Sequence, residues 1–82
     1  MGKSFNLEIV TPERSVFKGE VVSLSLYSTL GSLTILANHA PLITDLKKGP
    51  IRYTKPDGEV RTIEVEGGFL EVSANQASLL GC

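Results

Sequence analysis

The stretch Phe5-Asn6-Leu7-Glu8-Ile9-Val10 carries an apolar side chain at every second position. Successive side chains of an extended strand point to opposite faces, so this spacing predicts a strand with one buried face. The same alternation returns in residues 22–27 and 32–35. Because no segment repeats apolar residues at i, i+3, i+4 and i+7 over ten or more residues, we predict no substantial helix.

Turn signals separate these short strands. Pro56-Asp57-Gly58 predicts a hairpin, since proline presets φ and glycine accepts φ > 0. Ala74-Asn75-Gln76 predicts a second turn, and Thr11-Pro12-Glu13-Arg14 and Lys18-Gly19-Glu20 predict two more. This pattern is typical of an all-β sandwich or barrel.

The apolar residues of the segment 59–66 do not all fall on one face of a regular strand, which we call its phase conflict. Val60 belongs to one face of the predicted strand, whereas Ile63 and Val65 belong to the other. Either a β-bulge near Arg61 and Thr62 restores the phase, or both faces of this strand are partly buried.

The size and charge of the chain restrict its class. Its 82 residues predict one domain, spanning positions 1–82, with two packed antiparallel sheets. With 8 basic and 9 acidic residues the net charge is −1, which provides no field for nucleic acid. Cys82 is the single cysteine, so no internal disulfide is possible. There is no signal-peptide hydrophobic region, and we expect a soluble, cytoplasmic protein.

No motif indicates chemistry. The glycine patterns of nucleotide-binding loops are absent, and Gly67-Gly68 precedes a predicted strand, where it allows a bulge or close backbone packing. One histidine, one terminal cysteine and dispersed acidic residues do not form a metal-ligand set. We therefore predict no catalytic, cofactor-binding or metal-binding residues.

The segment 26–33 is a candidate for exposed apolar surface, because Tyr27 and Leu30 lie among small polar residues near a predicted turn. Exposed apolar residues at loop tips often mark a protein contact. The alternative is that they are ordinary core residues. We expect Leu30, His39 and Leu42 to contribute to contact patches with apolar anchors and polar rims.

Six segments, taken together and in order, resemble the N-terminal β-sandwich domain of the epsilon-subunit family of F-type ATP synthases. They are residues 7–13, 19–21, 38–44 (Asn-His-Ala-Pro-Leu-Ile-Thr), 46–52, 55–58 and 67–72. Each segment by itself is weak evidence for the resemblance. The resemblance covers nearly the whole chain, from Phe5 to Leu80.

The resemblance implies a sandwich of two sheets with about ten short strands. It implies a subunit of the central stalk that does not hydrolyse ATP, binds no cofactor, and helps to couple proton translocation to ATP synthesis. Its partners would be the gamma subunit and the c-subunit ring, at the cytoplasmic face of the energy-transducing membrane. Contact with the membrane would come only through the complex.

The resemblance also implies contact residues. The turn at Gly31 and Ser32 and the loop with His39 would face the ring, while Thr11, His39 and the neighbourhood of Thr44 would lie near gamma. Many family members have an acidic Gly-Glu-Leu-Gly loop, but this chain reads Gly31-Ser32-Leu33-Thr34. A neutral, more apolar ring contact is therefore expected.

Typical family members continue into a two-helix C-terminal domain that can inhibit hydrolysis. This sequence stops at Cys82, so the resemblance implies neither that hairpin nor its inhibitory function here. A different class of function stays open, namely a free-standing β-sandwich that binds a ligand or peptide. Such a module would need a row of exposed aromatic side chains, and the sequence has only three phenylalanines, two tyrosines and no tryptophan.

Overall fold

The computed structural model describes residues 3–82, which form nine β-strands and no helix. The strands are β1 (Phe5–Val10), β2 (Ser15–Val21), β3 (Ser23–Ser28), β4 (Gly31–Leu36), β5 (Leu42–Leu46), β6 (Gly49–Thr54), β7 (Val60–Val65), β8 (Gly68–Ser73) and β9 (Gln76–Gly81).

The strands form two layers joined at a narrow corner. One layer has the order β2-β1-β9-β8-β5, and the other consists of β4-β3-β6-β7. Between them, β3 and β5 share only the residue pair Ser28 and Leu46. Two backbone hydrogen bonds flank that pair, from Thr29 N to Asp45 O at 3.3 Å and from Lys47 N to Tyr27 O at 2.9 Å. All pairings are antiparallel except that of β1 with β9, which is parallel.

One core lies between the layers. Every strand contributes at least one buried side chain to it, and burial alternates along most of the strands. The buried apolar residues are Phe5, Leu7, Ile9, Val21, Leu24, Leu26, Ile35, Leu46, Ile51, Tyr53, Val65, Leu70, Val72, Ala77 and Leu79. The predicted all-β, two-layer fold is confirmed, with nine strands in the described residues where about ten were expected.

The prediction of a turn at Lys18-Gly19-Glu20 is wrong. These residues lie inside β2, and Gly19 pairs with Leu7 of β1. A Cβ atom on Gly19 would stand 3.3 Å from the ring of Phe17, which itself contacts Tyr53 of the opposite layer with ring centroids 4.6 Å apart. Gly19 therefore makes room for an aromatic contact between layers and does not reverse the chain.

Neither explanation of the phase conflict in β7 holds. The register between β6 and β7 is continuous through Arg61 and Thr62, so there is no bulge at that point. Val60 is 53% exposed and shares the outer face with Thr62. The hairpin at Pro56-Asp57-Gly58 is confirmed, with Gly58 at φ = +92°.

The pair Gly67-Gly68 has two different roles. Gly68 has φ = +143°, and a Cβ atom there would overlap the carbonyl oxygen of Leu80 and approach the Cα of Gly81 to 3.0 Å. Gly67 has space for a Cβ atom, whose nearest neighbour would be Leu46 O at 3.7 Å. The expected close backbone packing is thus confirmed at Gly68, where β8 pairs with β9.

The Asn75 side chain joins three segments at one end of the molecule. Its Oδ1 accepts a hydrogen bond from Asn38 N at 2.8 Å, and its Nδ2 donates to Ser4 O at 2.9 Å. Its own carbonyl accepts a bond from Asn6 N at 3.2 Å. Asn75 and Ala74 form the predicted turn, both with positive φ (61° and 51°), as a two-residue hairpin loop requires. Asn75 therefore fixes the loop that carries His39 to the opposite layer.

We predict that Gly68→Ala lowers the free energy of unfolding by about 3 kcal/mol or more, because it adds backbone strain to a collision with backbone atoms. Gly67→Ala is the matched control and should change stability by less than about 1 kcal/mol. Urea unfolding followed by far-ultraviolet circular dichroism measures both. Equal effects of the two substitutions would contradict the assignment.

We predict that Asn75→Gly destabilises the fold by about 1–2 kcal/mol, since glycine keeps the positive φ but loses both side-chain hydrogen bonds. The Asn38 amide should also lose protection from hydrogen exchange. Ala74→Gly is the control and should stabilise the protein by about 0.5–1 kcal/mol by relieving positive φ. Unchanged exchange at Asn38 in Asn75→Gly would show that the side chain does not hold this loop.

Candidate protein-contact surfaces

The residues predicted to contact partners are distributed over both ends of the sandwich. The end that we call the Leu30 end holds the turns at residues 11–14, 29–30, 47–48 and 66–67. The opposite end, here the Asn75 end, holds residues 37–41, 55–59 and 74–75. Strand β4 runs from Gly31 at the first end to Leu36 at the second. Gly31 and His39 therefore lie near opposite ends of β4, and the expectation that both face the ring stays a prediction.

The Leu30 turn presents an apolar side chain on a fixed backbone. Leu30 is 78% exposed. Its N–H donates to Ser28 Oγ at 3.0 Å, and that hydroxyl donates to Gly31 O at 3.2 Å. Ser28 is fully buried, and Gly31 has φ = +117°, a conformation that favours glycine. Ser32 follows at the start of β4 and is exposed.

The remaining predicted residues differ in what they offer to a partner. Thr11 is half-buried and closes its turn through hydrogen bonds with Arg14. His39 is half-buried, with Nδ1 at 2.6 Å from Ala40 O. Leu42 packs against the core, and Thr44 is buried with its hydroxyl donating to Asp45 O at 3.2 Å. The side chains of Leu42 and Thr44 thus point into the sandwich, and their contact with a partner stays a prediction.

An apolar cluster on the outer face of the five-stranded layer was missed in the sequence. Phe69 pairs with Leu80, which pairs in turn with Val10, so the three side chains form a row across β8, β9 and β1. Phe69 is 41% and Leu80 is 54% exposed. Ile43 of β5 is also exposed and lies diagonally next to Phe69. We call these four residues the Phe69 patch.

The alternation of buried and exposed positions along β8 and β9 is the sequence feature that predicts this patch. Leu70 and Val72 face the core, so Phe69 must face outward, and Ala77 and Leu79 impose the same on Leu80.

Charged groups surround the Phe69 patch. Asp45 pairs with Phe69, Glu71 pairs with Ile43, and Glu8 lies two residues from Val10 on the same face. All three are acidic, and the basic Lys18 pairs with Glu8, so the patch has an apolar centre and a rim with more acidic than basic groups.

A separate group of charges lies at the Asn75 end, on the hairpin between β6 and β7. Arg61 Nε donates to Glu59 Oε2 at 2.7 Å, and Lys55 Nζ lies 3.4 Å from Glu59 Oε1. The hydrogen bond from Arg61 is the main cause that lowers the pKa of the Glu59 carboxyl. These exposed contacts join residues of the β6–β7 hairpin, and they lie away from the Phe69 patch and the Leu30 turn.

The described surface offers little for small-molecule chemistry. A groove of about 450 Å³ is lined by Pro41, Leu42, Ile43, Glu71, Val72 and Ser73. Its polar side chains are one carboxylate, Glu71, and one hydroxyl, Ser73. Among residues 3–82, no three His, Cys, Asp or Glu side chains are grouped as metal ligands. None of these residues forms a helix long and apolar enough to span a membrane.

Known sequences match nearly all of this chain. The family model for the β-sandwich domain of the ATP synthase delta/epsilon chain matches residues 4–81. The ATP synthase epsilon chain of Dichelobacter nodosus is 46% identical over 80 residues, which are 98% of this chain and 56% of that protein. The epsilon chain of Chlorobium limicola is 44% identical over 78 residues, or 95% of this chain and 89% of that protein. The chain thus spans about half of the first relative and most of the second.

Solved structures share the same fold. A chain of the Euglena gracilis mitochondrial ATP synthase superposes with a TM-score of 0.90 at 16% identity, over 95% of this chain and 50% of that chain. A chain of the central stalk and c-ring of the Tetrahymena thermophila mitochondrial ATP synthase superposes with a TM-score of 0.79 at 17% identity, over 98% and 64%. At these identities the superpositions establish the fold. Because the family model and both sequence relatives cover almost every described residue, this chain belongs to the β-sandwich family of ATP synthase delta/epsilon chains, among the epsilon chains.

Proposed function

We propose that this chain is a non-catalytic subunit of the central stalk, which docks on the gamma subunit and rests on the c-subunit ring. In that position it would help to couple proton translocation to ATP synthesis, at the cytoplasmic face of the membrane. Membership of the epsilon chains supports the assignment to ATP synthase. The structures of similar fold come from ATP synthase assemblies that include the c-ring, which supports a place in the stalk.

The Phe69 patch is the observation that carries the proposed contact with gamma. Phe69, Leu80 and Val10 lie side by side on rigid, hydrogen-bonded strands, so docking would order few side chains. A buried apolar centre with a polar rim is the usual anatomy of a stable protein interface. The acidic rim formed by Asp45, Glu71 and Glu8 favours a partner surface with basic side chains around an apolar centre.

The Leu30 end is the proposed contact with the ring. The exposed Leu30 side chain and the uncharged Ser32 make this one turn apolar and neutral, whereas the neighbouring turns at the same end carry Glu13, Arg14, Lys47, Lys48 and Glu66. The part of the contact made by Leu30 would therefore depend on apolar burial, while the charged residues of the neighbouring turns would add a part that salt screens. Thr11 lies at this same end, next to Val10 of the Phe69 patch, so one partner could contact both.

Both proposed contacts lie on the sandwich itself. Residues 10, 43, 69 and 80 form one contact and residue 30 the other, all within the matched domain at positions 4–81. Docking in the stalk would therefore need no helical segment. We propose that the domain at positions 1–82 acts as a structural part whose packed core resists deformation under torque.

We predict that Leu80→Asp weakens binding of the purified chain to purified gamma subunit by about 10- to 100-fold. The substitution places a charge in the centre of an apolar contact, which costs about 1.4–2.8 kcal/mol. Isothermal titration calorimetry measures the affinity, and circular dichroism verifies that the variant is folded.

Val60→Asp is the matched control, because Val60 is 53% exposed on the outer face of the other layer and Leu80 is 54% exposed. It should leave the affinity for gamma unchanged. Leu42→Asp is not a suitable probe, since Leu42 packs against the core. If Leu80→Asp binds gamma as well as Val60→Asp does, the Phe69 patch is not the docking surface.

A further inference from the structure

Strand β4 has a free backbone edge. Among residues 3–82, the sheet path ends at β2 and at β7, and β4 pairs only with β3, so each of these three strands has one unpaired side there. Free strand edges present N–H and C=O groups that can pair with another chain.

The three edges differ in charge. Strand β2 carries Lys18 and Glu20, and β7 carries Arg61 and Glu64. Strand β4, Gly-Ser-Leu-Thr-Ile-Leu, carries no charge and no proline. Indeed, no charged residue occurs from Val21 to Asn38. Natural sheets protect their edges with charges, prolines or bulges, and β4 has none of these.

The backbone groups at the free edge of β4 can be named. Ser28 and Gly31 pair next to the two-residue turn, so Gly31, Leu33 and Ile35 direct their N–H and C=O groups toward β3. The groups of Ser32 and Thr34 then point to the open side. Leu36 also points there, although its carbonyl accepts a bond from His39 N at 3.2 Å.

We propose that β4 pairs with β4 of a second copy of this chain, antiparallel about a twofold axis at Thr34. In this register Ser32 faces Leu36 of the second copy, and Leu33 faces its Ile35. Inward side chains then oppose inward ones, and outward side chains oppose outward ones, as antiparallel pairing requires.

The second copy is the favoured occupant because the edge is complementary to itself. Leu33 is only half-buried in the single chain, and the Ile35 of the second copy completes its burial. Leu36 is 55% exposed and would lie opposite Ser32 of the second copy. No charge on β4 opposes the twofold arrangement, and none selects a different charged partner. One strand pair buries less than the ~1,600 Å² of a standard interface, so we expect a weak association that appears at concentrations on the order of 100 μM or higher.

The test uses the full 82-residue chain and variants at position 34, where the two copies meet. Sedimentation equilibrium should show native protein associating from 8.8 kDa toward twice that mass as the concentration rises above about 100 μM. Thr34→Lys and Thr34→Glu should each stay monomeric, because like charges face each other across the axis. An equal mixture of the two variants should associate again.

Thr62→Glu is the matched control, since Thr62 is an exposed threonine on the outer face of the same layer. It should associate like the native chain. Hydrogen exchange should show that the amides of Ser32 and Thr34 gain protection with concentration. A native chain that is monomeric at 1 mM, or a Thr34→Lys variant that associates like the native chain, would overturn the proposal. Association that protects the Phe69 patch and leaves β4 unprotected would also overturn it.

Discussion

The sharing of one core by all nine strands is the constraint on which the rest of this structure depends. A chain of 82 residues has too little volume for a separate core in each layer, so the inward side chains of both layers must fill the same space. Within residues 3–82, the hydrogen bonds between the layers are few. They lie at the corner near Ser28 and Leu46, between Asn75 and Asn38, and at the strand ends, from Val22 N to Thr54 O and from Glu66 N to Cys82 O. Apolar packing between them, including Phe17 against Tyr53, therefore holds their relative position.

The alternation that directs apolar side chains into the core also decides which side chains lie on the outer faces. The outer faces of the two layers differ in apolar and charged side chains. On the five-stranded layer it turns Phe69 and Leu80 outward into a patch with an acidic rim. On the other layer it leaves β4 with polar and apolar side chains and no charge. A stalk subunit benefits from this arrangement, because partners can bind to rigid strands while the core stays unchanged. Of the three proposed contacts, those with gamma and with a second copy lie on different layers and can be tested separately.

Much of the fold follows from local pattern, and the errors have physical causes. The hairpins at Pro56-Asp57-Gly58 and at Ala74-Asn75 are correct because positive φ has few sequence solutions. The turn predicted at Gly19 is wrong because the sequence does not show that this glycine leaves space for the ring of the neighbouring Phe17. Of the predicted contact residues, Leu30 is exposed, whereas Thr44 is buried, since its orientation depends on which face of β5 the core occupies.

The sequence by itself determined the strands, most of their turns and the family, because period-two burial and turn chemistry act within a few residues of one another. Only the tertiary structure decided which residues meet. It separated Gly31 from His39 by the length of β4, joined Phe69, Leu80 and Val10 into one patch, and left the β4 edge open. Such neighbours come from pairings between strands distant in the sequence, and those pairings are selected by how the whole core packs.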